Sequence, residues 1–328
     1  MTPTSSQTIS QAIQAYLEVV LRARSSGTAQ TYGKGLKHFR EFLCTESDIN
    51  PDHSPTSLLT EDHAAHFIGY LRAFSVATER LYLTALTGFY KYLAAERLAD
   101  VNLPRLKMFI DSRARRQGER IPSFPMDDIE KIIEEIETNF KPSTDPIENL
   151  IFYRDRAFIL TLPDTGFRVH EACELTRGDV DWKRSRAIII GKGDKQAVVR
   201  LSKRSTGAIK QYLALRQSLD GASGTALTSL PIFARHDKAA GKKVRPISTT
   251  TGREIVAHWV KLILGADKVG TITPHSFRHY FVTTVLRTKG NLKTAQVLAR
   301  HTSIQVTQRY AHLADEELDK SYDEIFNL

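Results

Sequence analysis

Cysteine is nearly absent: Cys44 and Cys173 are the only two in 328 residues, and they lie far apart in the chain. Two isolated thiols exclude a cysteine-rich zinc module, fit a reducing compartment, and read as core residues rather than reactive groups. Long apolar runs are missing as well. Stretches such as AFILTL and AIII are far too short to cross a bilayer, and the opening MTPTSSQTISQAI has neither a basic start nor an apolar stretch. No signal peptide, no membrane partner and a cytoplasmic location are therefore expected. There is no internal repeat and no low-complexity tract. Hydrophobic and charged fractions of 41% and 25% belong to a folded chain, long enough for about two domains with separate cores.

The net charge of +9 is unevenly spread. Residues 1–120 carry +3, residues 121–180 carry −7, residues 181–310 carry +18, and the last eighteen carry −5. A surplus that large over 130 residues exceeds what solubility requires and suggests a polyanionic partner, most simply nucleic acid.

The first hundred residues read as helices. Ile9, Ile13, Tyr16, Leu17 and Val20 recur at helical spacing, as do Tyr32, Leu36, Phe39 and Leu43. Thr60 and Ser75 are expected N-caps for two more helices, and four amphipathic helices can close a bundle. Residues 1–104 are read as this domain and 105–122 as a basic linker carrying Arg113, Arg115 and Arg116, which if extended would reach roughly 55–60 Å, enough to pass around a duplex. Residues 123–328 form the second domain. It opens on a helix with Ile129, Ile132, Ile133 and Ile136 facing inward, followed by two helices expected to break at Pro163 to Gly166. RAIIIGKGDKQAVVRLS then reads as a β-hairpin, and the remainder as mostly helical with a loop-rich basic interruption before Pro246.

Several motifs could carry chemistry. GKGDKQ lacks the spacing and the Ser or Thr of a phosphate loop, so Lys192 is read as a side chain hung at a hairpin turn. In TITPHSFRHYFVTTVL, His275 and His279 share a helical face but Ser276 stands where a zinc protease needs Glu, and no third ligand is evident, so no metal is expected. His275 and Arg278, three apart, would instead grip an anion. Arg168 opens a helix, where anions are favoured, and Glu171 one turn on could orient its guanidinium. Tyr310 follows His301 by nine residues, on a short helix that Ser303 can cap.

The order Arg168 (TGFRVHE), Lys192 (IGKGDK), His275 and Arg278 (HSFRH), His301 (ARH) and Tyr310 (QRYAHL), with 24, three and nine residues between the paired members, resembles the tyrosine recombinases of the phage-integrase family. GTAQTYGKGLKHFREFL is similar to the family's core-binding domain, so the likeness covers nearly the whole chain. The implied fold is mainly α with a small β-sheet (α+β): a helical, SAM-like N-terminal domain and a catalytic domain like that of tyrosine recombinases and type IB topoisomerases.

The resemblance implies strand exchange without metal, ATP or other cofactor. Arg168, Arg278, His275 and His301 would place donors on the scissile phosphate, Tyr310 would attack, Lys192 would protonate the departing 5′-oxygen, and His275 would accept the tyrosine proton. His279 is then expected to pack on the far side of its helix. The family usually has Gly before the second histidine, where this chain has Arg300, which adds a candidate phosphate contact. Lys242, Lys243 and Arg245 are further candidates for DNA contact, within basic stretches at 24–40 and 242–253. The first helix begins near Thr8, which suits simpler Xer-like or transposon-borne members without an arm-binding domain. The tail after Tyr310 shows an apolar face of Leu318, Tyr322, Ile325 and Phe326, expected to pack into a neighbouring protomer of a DNA-bound tetramer; a partner recombinase is a further expected partner. Two other readings are a type IB topoisomerase-like relaxing enzyme and a non-catalytic DNA-binding accessory protein.

Overall fold

The structure, a computed structural model, describes residues 7–115, 125–139, 143–191, 195–237, 243–301, 303–308 and 310. The chain divides into two compact units, Met1–Arg120 and Ile121–Leu328. It is mainly helical, with one three-stranded antiparallel sheet among the described residues. No helix among them is long and apolar enough to cross a membrane.

Among the described residues, five α-helices build the first unit: α1 (Ile9–Ala23), α2 (Ser26–Glu46), α3 (Glu61–Tyr70), α4 (Val76–Ala95) and α5 (Leu103–Arg113). Local chemistry starts the first four. Thr8 forms a capping box with Gln11, Ser25 accepts from the Thr28 amide, Thr60 pairs with His63, and Ser75 accepts from the Thr78 amide. Each such cap contributes about 1 kcal/mol. The helices close on Tyr16, Phe39, Phe42, Phe67, Phe89 and Tyr90. Gly88 lets α4 approach α1, since a Cβ there would collide with the Tyr16 hydroxyl. Cys44, expected in the core, is exposed on α2, whereas Cys173 is buried in the second unit.

The linker expected from residue 105 is instead helical over 103–113. Asn102 caps α5 by accepting from the Arg105 amide at 3.0 Å, and Leu106 and Phe109 are buried. Arg113 stacks 4.5 Å over the Phe109 ring. Arg115, expected on DNA, turns inward to the fully buried carboxylate of Glu79 and the carbonyl of Phe74, because a buried carboxylate needs a cation beside it. Arg116 lies outside the described residues.

The second unit opens on α6 (Met126–Glu134), which continues as a π turn and buries Ile129, Ile132, Ile133 and Ile136. Helix α7 (Pro146–Thr165) starts at Asp145, whose side chain accepts from two amides, and runs through Pro163 instead of breaking there. Pro163 falls in the last turn, and the helix ends at Gly166, which takes the left-handed conformation at φ 59°. Next come α8 (Val169–Glu174) and strands β1 (Val180–Asp181), β2 (Arg186–Gly191) and β3 (Lys195–Arg200), in order β1-β2-β3, with Arg186 opposite Arg200 and Gly191 opposite Lys195. Ala187, Ile189 and Val199 face the core.

Helices α9 (Lys203–Leu215), α10 (Gln217–Ala222), α11 (Thr249–Leu264), α12 (Pro274–Lys289), α13 (Leu292–Ala299) and α14 (Ile304–Gln308) complete the unit around Phe158, Phe167, Phe233, Trp259 and Phe277. The loop-rich segment before α11 is tied down by the fully buried Arg216, which pairs with Asp220 and donates to the carbonyls of Pro231 and Ile232. Lys243 and Arg245 are exposed beside the Ala234–Pro246 bridge. Lys242 lies outside the described residues.

Candidate active site

The site grows from the turn that ends α7. At Gly166 a Cβ would come 2.6 Å from the Phe281 ring, and the left-handed conformation itself favours glycine. The turn delivers Arg168 as the N-cap of α8. One carboxylate holds it: Glu171 accepts from the Arg168 amide at 2.9 Å and from its guanidinium at 2.7 Å. The side chain of Glu171 is 1% exposed. Burial alone would raise its pKa, but Arg300 and Arg168 outweigh that and hold it below the usual carboxylate value.

Arg300 was expected to reach a phosphate. It points inward instead, pairing with Glu171 at 2.8 Å and donating to the carbonyls of Gly166 at 3.2 Å and Thr165 at 3.3 Å. Its side chain is 11% exposed, and its backbone ends α13 in the left-handed conformation, at φ 57°. A residue with a Cβ carries a cost there. Arg300→Ala, which loses the brace and keeps that cost, is expected to be less stable than Arg300→Gly by about 1 kcal/mol, measured by urea unfolding.

Helix α12 begins with Thr273 and Ser276 closing a capping box around Pro274. It presents His275, Arg278 and His279 toward the same region, as spacings of three and four dictate. Arg278 is 3% exposed and donates to the carbonyls of Gly166 and Ala299, so it joins the turn before α8 to the end of α13. Burial, then Arg168 and Arg300, lower its pKa to about 9. A cation crowded by cations in this way is stabilised by an anion brought beside it.

His301 follows α13, its Nδ1 hydrogen-bonded at 2.8 Å to the hydroxyl of fully buried Thr307. Tyr310 is 4% exposed and packs among Val282, Leu286, Ala295 and Ala299. His279 does not lie on the far side of its helix. Its Nδ1 and the Tyr310 hydroxyl are hydrogen-bonded, with ring centroids 5.4 Å apart, and its ring meets that of His275 edge to face at 4.3 Å. The reason is that positions 275 and 279 are one turn apart, so the face that carries one carries the other.

Arg168, Glu171, His275, Arg278, His301 and Tyr310 are thus gathered in one place, and a hollow beside them is lined by Arg168, Arg253, His275 and Arg278. Arg253 stood out in the sequence only as the end of a basic stretch. Thr307 gave no sequence signal, since a threonine on a short helix names no partner. Lys192 and the tail after Tyr310 lie outside the described residues.

The histidines share a direction of shift. Burial, followed by neighbouring cations or histidines, lowers His279 and His301 to about 4, and lowers His275 for the same reasons. Elsewhere in the unit, burial, then Arg154 and Arg216, lower His236 to about 3. Their ordinary value is 6.5. The unfolded chain therefore takes up protons first, so the stability held above pH 6.5 should drain away as pH falls from 6.5 toward 4. A falling melting temperature across that window, assigned to the second unit, is the expected result.

The hollow lined by Arg168, Arg253 and Arg278 suits an anionic ligand. Residues 123–317 match the Phage integrase family, and the chain belongs to it. Among curated relatives it is similar to the tyrosine recombinase XerC of Thermodesulfovibrio yellowstonii, 28% identical over 91% of this chain and 90% of the relative. It is also similar to the tyrosine recombinase XerD of Halalkalibacterium halodurans, 25% identical over 96% and 97%. Its fold is like that of the XerH site-specific recombinase in a post-cleavage complex with its palindromic difH substrate, at TM-score 0.67 and 19% identity over 90% of this chain and 79% of that one. The fold also resembles that of a lambda integrase dimer bound to a core site, at TM-score 0.60 and 18% identity over 94% and 78%.

Proposed function

We infer that this protein is a site-specific tyrosine recombinase, an enzyme that breaks and rejoins DNA strands. The observation that carries the reading is the convergence of Arg168, His275, Arg278 and His301 on the region of Tyr310, within a chain that matches tyrosine recombinases over more than nine-tenths of its length.

A phosphodiester repels nucleophiles, and attack gathers further charge on its non-bridging oxygens. Arg168 and Arg278, pinned by Glu171 and by the Gly166 and Ala299 carbonyls, meet that charge without rearranging, an effect worth about a hundredfold or more per well-placed donor. Tyr310 attacks and becomes joined to the 3′-phosphate. Its phenol is a better leaving group than a sugar alkoxide, so a new 5′-hydroxyl can displace it. Lys192, assigned by family resemblance, protonates the departing 5′-oxygen. Because the phosphotyrosyl bond conserves the energy of the broken linkage, neither ATP nor a metal enters the scheme.

The larger assembly is read the same way: four protomers on paired sites, linked by exchange of the C-terminal tail, in the cytoplasm, with a second recombinase as a further partner. The relaxing-enzyme and accessory-protein readings draw no observation of their own.

The experiment is covalent capture. Nicked duplexes from the DNA flanking the gene are incubated with the protein, digested, and the peptide carrying a 3′-phosphonucleotide is located by mass spectrometry. The modification is expected on Tyr310 and in the presence of chelator. DNA binding without any adduct, alone or with a partner recombinase, would return the chain to the accessory-protein reading.

A further inference from the structure

Tyr310 carries the hydroxyl assigned above as nucleophile, and that hydroxyl is bonded to a side chain that the family's six-residue pattern does not include. His279 stands on α12 one turn after His275. Its Nδ1 is the partner of the Tyr310 hydroxyl, and the two ring centroids are 5.4 Å apart. A phenol buried among Val282, Leu286, Ala295 and Ala299 needs some polar partner in any case. What distinguishes this partner is that it can take a proton and is placed on the one oxygen from which a proton must leave.

We propose that His279 is a further catalytic residue, the base that removes the Tyr310 proton during strand cleavage and returns it during rejoining. This rests on the reading of Tyr310 as the nucleophile. As the bond from the tyrosine oxygen to phosphorus forms, the bond from phosphorus to the 5′-oxygen breaks. The phenolic proton passes to Nδ1, leaving His279 an imidazolium, while the 5′-oxygen takes its proton from the acid assigned to Lys192. Rejoining reverses each transfer. His275, to which the resemblance gave this proton, meets the His279 ring in a T-shaped contact and is left to the phosphate.

The surroundings suit a base. Among the described residues, titratable groups facing His279 include His275 and Arg278 on its own helix, Tyr310 beyond α14, and His301 after α13, with Arg168 and Arg300 acting in turn on His301. Burial, then His275 and Arg278, keep the ring neutral at pH 7, with a lone pair available to the hydroxyl. An arriving phosphate brings negative charge beside these cations, which moves the ring back toward its ordinary basicity at the moment it has to accept a proton.

The test separates proton transfer from packing. In His279→Asn the amide still partners the hydroxyl from roughly the Nδ1 position but cannot take its proton, and His279→Ala removes both functions. Single-turnover adduct formation on a nicked duplex is expected to fall about a hundredfold or more in both variants, the range general-base catalysis supplies. A second substrate bypasses the tyrosine: a strand ending in 3′-p-nitrophenyl phosphate, whose leaving group needs no proton, ligated to a 5′-hydroxyl strand. Both variants are expected to ligate it at the wild-type rate, which shows that the phosphate pocket is intact. Adduct formation in His279→Asn within about threefold of wild type would overturn the assignment, as would ligation falling in step with cleavage. A wild type that ligates but yields no Tyr310 adduct would instead overturn the nucleophile reading beneath it.

Discussion

Tyr310→Phe is expected to bind DNA as the wild type does, melt at nearly the same temperature, and form no covalent adduct. The substitution keeps the ring that packs against Val282, Leu286, Ala295 and Ala299, so the apolar cluster stays filled. It removes one hydroxyl and its bond to His279. A typical hydrogen bond contributes about 1 kcal/mol net, and His279 is half-buried, so water can replace the lost partner. The chemical effect has no such limit, because no other atom takes the place of the nucleophile. Denaturing gels of the two proteins on the same nicked duplex make the comparison, with thermal melting as the control for folding. An adduct of undiminished yield in the variant would move the nucleophile to another residue.

Arg278→Ala is expected to combine a modest loss of stability with a large loss of cleavage. The Ala299 carbonyl loses its donor when the guanidinium goes, while that of Gly166 keeps Arg300, at about 1–3 kcal/mol for one unsatisfied buried group. Part of this is returned, since a cation already crowded by Arg168 and Arg300 disappears with it. The fold survives. Cleavage is expected to lose both the donors assigned above to the phosphate and the tie that sets the Arg168 turn against the end of α13. A fall of about a thousandfold in adduct formation is expected, the upper range for one oxyanion donor. Arg278→Lys keeps the charge but not the planar fork, so one ammonium cannot serve two carbonyls and a phosphate together. It should melt closer to the wild type than the alanine variant does and still cleave at least about a hundredfold more slowly. Urea unfolding beside single-turnover cleavage checks both; equal losses in the two measurements would make Arg278 a purely structural residue.

The parts of this molecule that could be read from sequence are those written in short-range chemistry. Thr8, Thr60 and Ser75 announce their helices because a cap and its amide lie within three residues. The isoleucines of α6 announce a buried face because the period is local. The hairpin was legible from its β-branched flanks, and Arg168, His275, Arg278, His301 and Tyr310 from the resemblance of their order and spacing to the tyrosine recombinases. What could not be read depends on distant partners. Helix α5 was hidden because basic residues mask the Leu106 and Phe109 spacing, and its burial is set by helices that precede it by tens of residues. Arg115 and Arg300 look like surface cations until Glu79 and Glu171 are placed beside them. The face of α12 that carries His279 is local, but its partner is not: Tyr310 stands 31 residues further on, past α14.

The brace through Arg300 has a bearing on when this enzyme becomes dangerous to DNA. Its contacts with Thr165, Gly166 and Glu171 span 135, 134 and 129 residues of chain, and Arg278 reaches Gly166 across 112. Contacts of such long range form late, after nearer elements have closed, because loop-closure entropy must be met before they are rewarded. A chain emerging from the ribosome would hold Arg168 long before Arg278, His301 or Tyr310 existed, and a chain cut short before α13 would never assemble the phosphate grip. Forms that end before α13 are thereby expected to lack nicking activity, a safeguard written into topology and requiring no inhibitor.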